Sequence, residues 1–85
     1  MTIRYRDKQD IICRVLEVAI RGAPKRKIMY ESFLPYDRLA PYLKLLAESY
    51  LLMFDETLQV YITTSKGQKL LEAYNEIANL VKYPD

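Results

Sequence analysis

Two proline breaks cut the first half of this 85-residue chain into three pieces, each with its own helical pattern. Gly22-Ala23-Pro24 closes the first piece and Leu34-Pro35-Tyr36 closes the second. A residue before proline avoids the helical region, and proline itself has no N–H to continue a ladder, so no helix continues through either point. The first piece predicts a helix from Asp7 to Ile20, with Ile11, Ile12, Val15, Leu16 and Ala19 on one face and Arg14, Glu17 and Arg21 away from it. Cys13 sits beside Ile12 and reads as a small buried hydrophobe rather than a redox sensor. The second helix is short, Lys25 to Phe33, with Ile28, Met29 and Phe33 as its apolar side. The third ends near Ser49. Leu39, Leu43 and Leu46 form its core face, and Asp37, Pro41, Lys44 and Glu48 lie opposite.

After Ser49 the period changes from helical to alternating. Leu51 to Phe54 is a short apolar run, Asp55-Glu56-Thr57 a polar turn, and Leu58 to Thr63 alternates with Leu58, Val60 and Ile62 on one side. This predicts a β-hairpin whose turn, lacking glycine, has no assigned type. Thr64 suits an N-cap, and a last helix follows from Ser65 to Lys82. In it Leu70, Tyr74, Ile77 and Val81 make a short heptad-like seam, widened by Leu71 and Ala78. The expected fold class is therefore mainly α with one hairpin, in the order helix, helix, helix, strand, strand, helix. That is the winged helix-turn-helix arrangement, here as a single domain over residues 1–85 with 65–82 as a pairing helix.

Composition narrows the function. With 51% hydrophobic and 28% charged residues the chain has globular composition, and its apolar runs are too short to span a bilayer. Met1 to Arg6 is charged with no apolar stretch after it, which argues against a signal peptide and, with one cysteine, for a cytoplasmic protein. Histidine is absent and Cys13 is alone, so zinc sites, Ser-His-Asp triads and Cys-His dyads are excluded as usually built; no cofactor or metal is expected. With only Gly22 and Gly67 there is no phosphate-cradling glycine loop, and an enzyme is not expected. The net charge of +2 is uneven. Residues 1–44 hold ten Lys/Arg against five Asp/Glu, and residues 45–85 hold three against six. A basic front suits an anion-facing surface, although such a split also arises in ordinary soluble domains.

Four short motifs occur in order: Lys27-Ile28-Met29-Tyr30, Leu34-Pro35-Tyr36, Tyr42-Leu43-Lys44-Leu45-Leu46, and Tyr61-Ile62-Thr63-Thr64-Ser65-Lys66-Gly67. In these the chain resembles an archaeal family of small winged-helix DNA-binding proteins whose C-terminal helix forms an antiparallel coiled coil in the dimer. The resemblance implies a homodimer on double-stranded DNA. Three departures stand out. Pro41 replaces a polar or basic residue in the third helix. A mid-helix proline costs roughly 3 kcal/mol, so this helix should begin late, near Asp37, or bend. Tyr50 stands where the family often has glycine, so a left-handed backbone there would cost about 1–2 kcal/mol. The exposed side of the third helix is poor in cations, with Arg38 and Lys44 balanced by Asp37 and Glu48.

Phosphate recognition needs cations or free N–H groups at a helix start, and Lys25, Arg26 and Lys27 supply both; the plainer reading is a solvated basic turn. Arg38 is the candidate base reader, because arginine binds guanine edges bidentately, or it pairs with Asp37 or Glu31. Tyr42 either stacks and bonds phosphate or packs at the core edge, and Lys44 is a phosphate contact or a plain surface lysine. Arg4, Arg6 and Lys8 form a possible basic arm, and Gln59 and Lys66 flank the hairpin within reach of a backbone. The acidic tip, Asp55-Glu56, should stay off phosphate. The leading expectation is a homodimeric DNA-binding transcriptional regulator; the alternative is a winged-helix protein-interaction module without nucleic acid. The seam of Leu70, Tyr74, Ile77 and Val81 either joins two subunits or folds back on the first helix.

Overall fold

The computed structural model describes residues 7–80, in the element order α1 (Lys8–Val18), α2 (Lys25–Ser32), α3 (Tyr36–Glu48), β1 (Leu52–Asp55), β2 (Val60–Thr63) and α4 (Ser65–Leu80). Val81, and Arg4 and Arg6 of the expected basic arm, lie outside the described residues. Each element ends for a local reason. Asp7 opens α1 with a capping box: its carboxylate accepts from the Asp10 N–H at 2.8 Å, and Asp10 reaches back to the Asp7 N–H. The helix stops at Val18, short of the expected Ile20, because the chain turns towards Gly22, which has a φ of 87°.

The core expected from helical spacing forms. Val15, Leu16 and Ala19 of the α1 region meet Ile28 from α2, Leu39, Leu43 and Leu46 from α3, Leu52 from β1 and Leu71 from α4. Cys13 is buried with them, and burial, followed by the charges of Glu17, Asp10 and Asp7, pushes its thiol pKa up; it stays protonated and inert.

Phe33 departs from the expected α2 face. It is the C-cap of α2 in the left-handed region (φ 56°, ψ 40°), and the residue is 79% exposed. Its N–H bonds to Tyr30 O and the following Leu34 N–H to Met29 O, a Schellman closure that swings the residue off the helical face. Ser32 takes the buried position instead. The end of α3 closes the same way: Leu51 N–H bonds to Leu46 O at 2.9 Å and Tyr50 N–H to Ala47 O at 3.1 Å, with Tyr50 at φ 61°. The glycine-like conformation is therefore kept at Tyr50, with its cost of about 1–2 kcal/mol. α3 begins one residue before Asp37, close to where Pro41 led it to be expected. The helix starts at Tyr36 and runs through Pro41, which lies exposed on its sixth residue.

β1 and β2 pair antiparallel with Leu52 opposite Thr63 and Asp55 opposite Val60. The second strand begins at Val60, not Leu58, because Asp55 builds the turn. Its carboxylate accepts from Thr57 N–H (2.9 Å) and Leu58 N–H (3.1 Å), and Gln59 takes φ 57°. Leu58 is left exposed in the turn. The core-facing side of β2 is Tyr61 and Thr63, while Val60 and Ile62 lie over Gly22. Ala23 bridges the other edge of β2 through two hydrogen bonds with Tyr61, at 2.9 and 2.8 Å. Thr63 joins the hairpin to α1: its hydroxyl donates to Leu16 O at 2.6 Å and its N–H to Ala19 O at 3.0 Å.

Candidate nucleic-acid interface

Pro24 and Pro35 occupy equivalent places. Each is an extended N-cap residue, at φ −69° and −68°, and neither α2 nor α3 has a side-chain cap. A helix start without a cap leaves its first N–H groups open to an outside acceptor and carries the positive end of the helix dipole. The residues right after the two prolines touch. Lys25 Nζ lies 4.1 Å from the centroid of the Tyr36 ring, a cation–π contact linking the first residue of α2 to the first residue of α3. Tyr61 lies behind them. Burial, and then Tyr36, raise its phenol pKa, and its ring packs on Phe54 at 4.8 Å between centroids.

The named cations are placed around this junction. Lys25, Arg26 and Lys27 are all exposed on the first turn of α2. Lys27 sits 3.8 Å from Glu31, the single ion pair among the described residues; such a surface pair is worth about 0–1 kcal/mol and leaves the cation accessible. Arg38 is exposed on the third residue of α3 and pairs with neither Asp37 nor Glu31. Lys44 is exposed too, but six residues on places it about 120° round the helix from Arg38, so the two do not share one stripe. Tyr42 is half-buried against the core.

Lys66 and Gln59 are engaged within the chain. Lys66 Nζ donates to Ser49 O at 2.9 Å, at the negative end of α3, and Gln59 Nε2 donates to Glu56 O at 2.8 Å. The Tyr61-to-Gly67 motif is in fact a structural joint. Thr64 Oγ1 accepts from Gly67 N–H at 3.1 Å, capping α4, and donates to Tyr50 O at 2.7 Å. Gly67 faces the carbonyl of Leu51 with no room for a Cβ. The tip of the hairpin presents Glu56 to solvent, while the Asp55 carboxylate is spent on its own turn.

The profile of the winged helix-turn-helix family matches residues 5–82. The chain belongs to the winged helix-turn-helix family. A search of the curated proteins finds no match. Within the winged helix, α2 and α3 with the Phe33–Pro35 turn are the helix-turn-helix, β1 and β2 are the wing, and α4 follows the wing. No described helix is long and apolar enough to cross a membrane.

Sequence reasoning missed two residues of this winged helix. Tyr36 read as part of a turn, although it organises Lys25. Arg14 read as a surface residue, yet its Nε donates to Glu31 O at 3.1 Å and ties α1 to α2. The repeated proline before each helix start was the available signal for Tyr36. Nothing local points to Arg14, whose partner lies 17 residues away.

The last helix divides into two faces. Leu71 is buried and Tyr74 packs on the core, with its hydroxyl donating to Asp10 of α1. Leu70, Ile77 and Leu80 face outward, Ile77 at 58% exposure. The residues of the sequence seam thus lie on both faces, with Tyr74 inward and Leu70 and Ile77 outward.

Proposed function

We propose that this winged helix is a cytoplasmic transcriptional regulator that binds double-stranded DNA as a homodimer. The observation that carries the reading is the Lys25–Tyr36 contact, which holds two uncapped helix starts together beside the exposed Arg26 and Arg38. Open N–H groups and Lys25, Arg26 and Lys27 take backbone phosphates, as helix starts do for anions. Arg38, on the first turn of α3, reads base edges in the major groove. Lys44 adds a phosphate contact from the far side of α3, and Tyr42 orients the helix by packing behind it.

The dimer rests on the pairing helix over residues 65–82. A small domain leaves Leu70, Ile77 and Leu80 in water on one side of α4, and a second copy would cover them. Val81 would extend that seam, and Tyr74 would support it from below. The likeness to archaeal dimeric winged helices supports the same arrangement. Residues 1–85 then act as one domain per subunit.

The wing favours a second reading, a protein-interaction module without nucleic acid. Its exposed side chains include Met53, Phe54 and Leu58 beside the acidic Glu56 and the neutral Thr57 and Gln59, a surface suited to a protein rather than to phosphate. A gel-shift titration at low and moderate salt separates the two. For a DNA binder, affinity falls steeply as salt rises, and changing Lys25, Arg26 and Lys27 together to Ala weakens binding to every duplex sequence. Equal affinity before and after the change removes the junction from the interface, and no shift at low salt leaves the protein-binding reading.

A further inference from the structure

The outward side of α2 carries two exposed rings, Tyr30 and Phe33, that duplex recognition at the helix start does not use. Arg26 and Tyr30 lie one turn apart on the side of α2 opposite the buried Ile28 and Ser32, and Phe33 follows as the left-handed cap that ends the helix. Tyr30 is 72% exposed and Phe33 is 79% exposed. Phe33 also holds its place in the left-handed backbone region, where glycine or asparagine would sit more easily. Both the backbone and the apolar ring therefore stand at a disadvantage in the free protein, and a bound partner is what would offset it.

The chemistry of that partner follows from the flanking charge. The rings continue directly from Lys25, Arg26 and Lys27, and Arg26 and Lys25 make no ion pair among the described residues. The partner is thus anionic and offers more than one flat face, for the exposed rings of Tyr30 and Phe33. An acidic peptide brings the charge without the repeated planes. A duplex brings the charge but keeps its planes stacked inside. A nucleic acid strand with unpaired bases brings both, since each base has a π face for an aromatic ring and each linkage a phosphate for a cation.

We infer that Arg26, Tyr30 and Phe33 form a platform on which the unpaired bases of single-stranded DNA or RNA stack. The strand enters along the basic start of α2, where Arg26 holds phosphate, and two successive bases lie on Tyr30 and Phe33. The platform shares Arg26 with the duplex reading, but its two rings do not depend on α3 entering a groove, so variants of Tyr30 and Phe33 separate the two.

The test uses the whole protein and three fluorescently labelled probes: oligo(dT), oligo(U) and a mixed-sequence duplex. Tyr30→Ala with Phe33→Asn removes both rings while keeping a residue suited to the left-handed position. Binding to oligo(dT), oligo(U) or both should fall by about tenfold or more, with duplex affinity within about twofold. Tyr30→Phe, which keeps the ring, should bind as the wild type does. Loss on one single strand alone assigns the platform to DNA or to RNA. No binding of either oligonucleotide by the wild type overturns the proposal, as does an equal loss on duplex and single strand. If the duplex never binds but the oligonucleotide loss is seen, the platform stands and the duplex reading falls. Circular dichroism melts of each variant verify that α2 is intact.

Discussion

Tyr74 of α4 donates its hydroxyl to the Asp10 carboxylate at 3.0 Å, across 64 residues of chain. The same carboxyl group takes part in the capping box of α1, so one acidic side chain organises the first helix and moors the last. The bond to Asp10, then burial, then the negative charge of Asp10 push the Tyr74 phenol up to about 12 from its usual 10.

The pH dependence of stability follows from that shift. The folded state holds the phenolic proton more tightly than the unfolded chain does, so the contribution is full below pH 10 and is lost as pH rises through about 12. Tyr74→Phe should lower stability by about 1 kcal/mol at neutral pH. Its deficit against the wild type should shrink between pH 10 and pH 12, as measured by urea denaturation. A deficit that stays constant over that window would mean the hydroxyl bond does not stabilise the fold.

Ser32 is fully buried in α2, and its hydroxyl has no hydrogen-bond partner. An unmet buried hydroxyl costs about 1–3 kcal/mol, and alanine is also the better helix former. Ser32→Ala is expected to raise stability by about 1 kcal/mol, read as a higher midpoint in denaturant with an unchanged slope. A lower midpoint would indicate that a buried water satisfies the hydroxyl.

Gly67 lies where α4 presses on the loop leading into β1. A Cβ there would collide with the Leu51 carbonyl oxygen and come within 2.7 Å of Thr63 Cγ2. One neighbour is backbone and the other belongs to a side chain already bonded to Leu16 O, so neither moves cheaply. Gly67→Ala should destabilise the domain by about 2 kcal/mol or more, seen as a fall in Tm. Near-wild-type stability would show that the contact is looser than the geometry describes.

The outward stripe of α4 gives the test of pairing. Ile77→Glu places a charge on the exposed face without touching Leu71 or the Tyr74–Asp10 bond. A wild-type dimer and a folded monomeric variant in sedimentation are the expected pair of results. Monomers in both would end the dimer proposal.

Much of this protein was determined by sequence alone. The order of elements follows from two proline breaks, a change from helical to alternating period, and Thr64 before the last helix, because these are local constraints on backbone angles. The core list follows as well, since Val15, Leu16, Leu39, Leu43 and Leu46 repeat at the helical period and are buried. Tertiary structure decided what those constraints leave open. Phe33 looked like the apolar end of a helix face, but the Schellman closure turns it out and buries Ser32. Leu58 looked like a strand residue until the Asp55 carboxylate claimed its N–H for the turn. Lys66 looked like a free cation and is bonded to Ser49 O, and Tyr74 looked like part of an intersubunit seam and is bonded to Asp10. Each depends on a partner far along the chain or on the geometry of a cap or turn, and none has a period that a sequence displays. The Lys25–Tyr36 contact is of the same kind: both residues and both prolines are visible in order, but only the tertiary fold brings the two helix starts together.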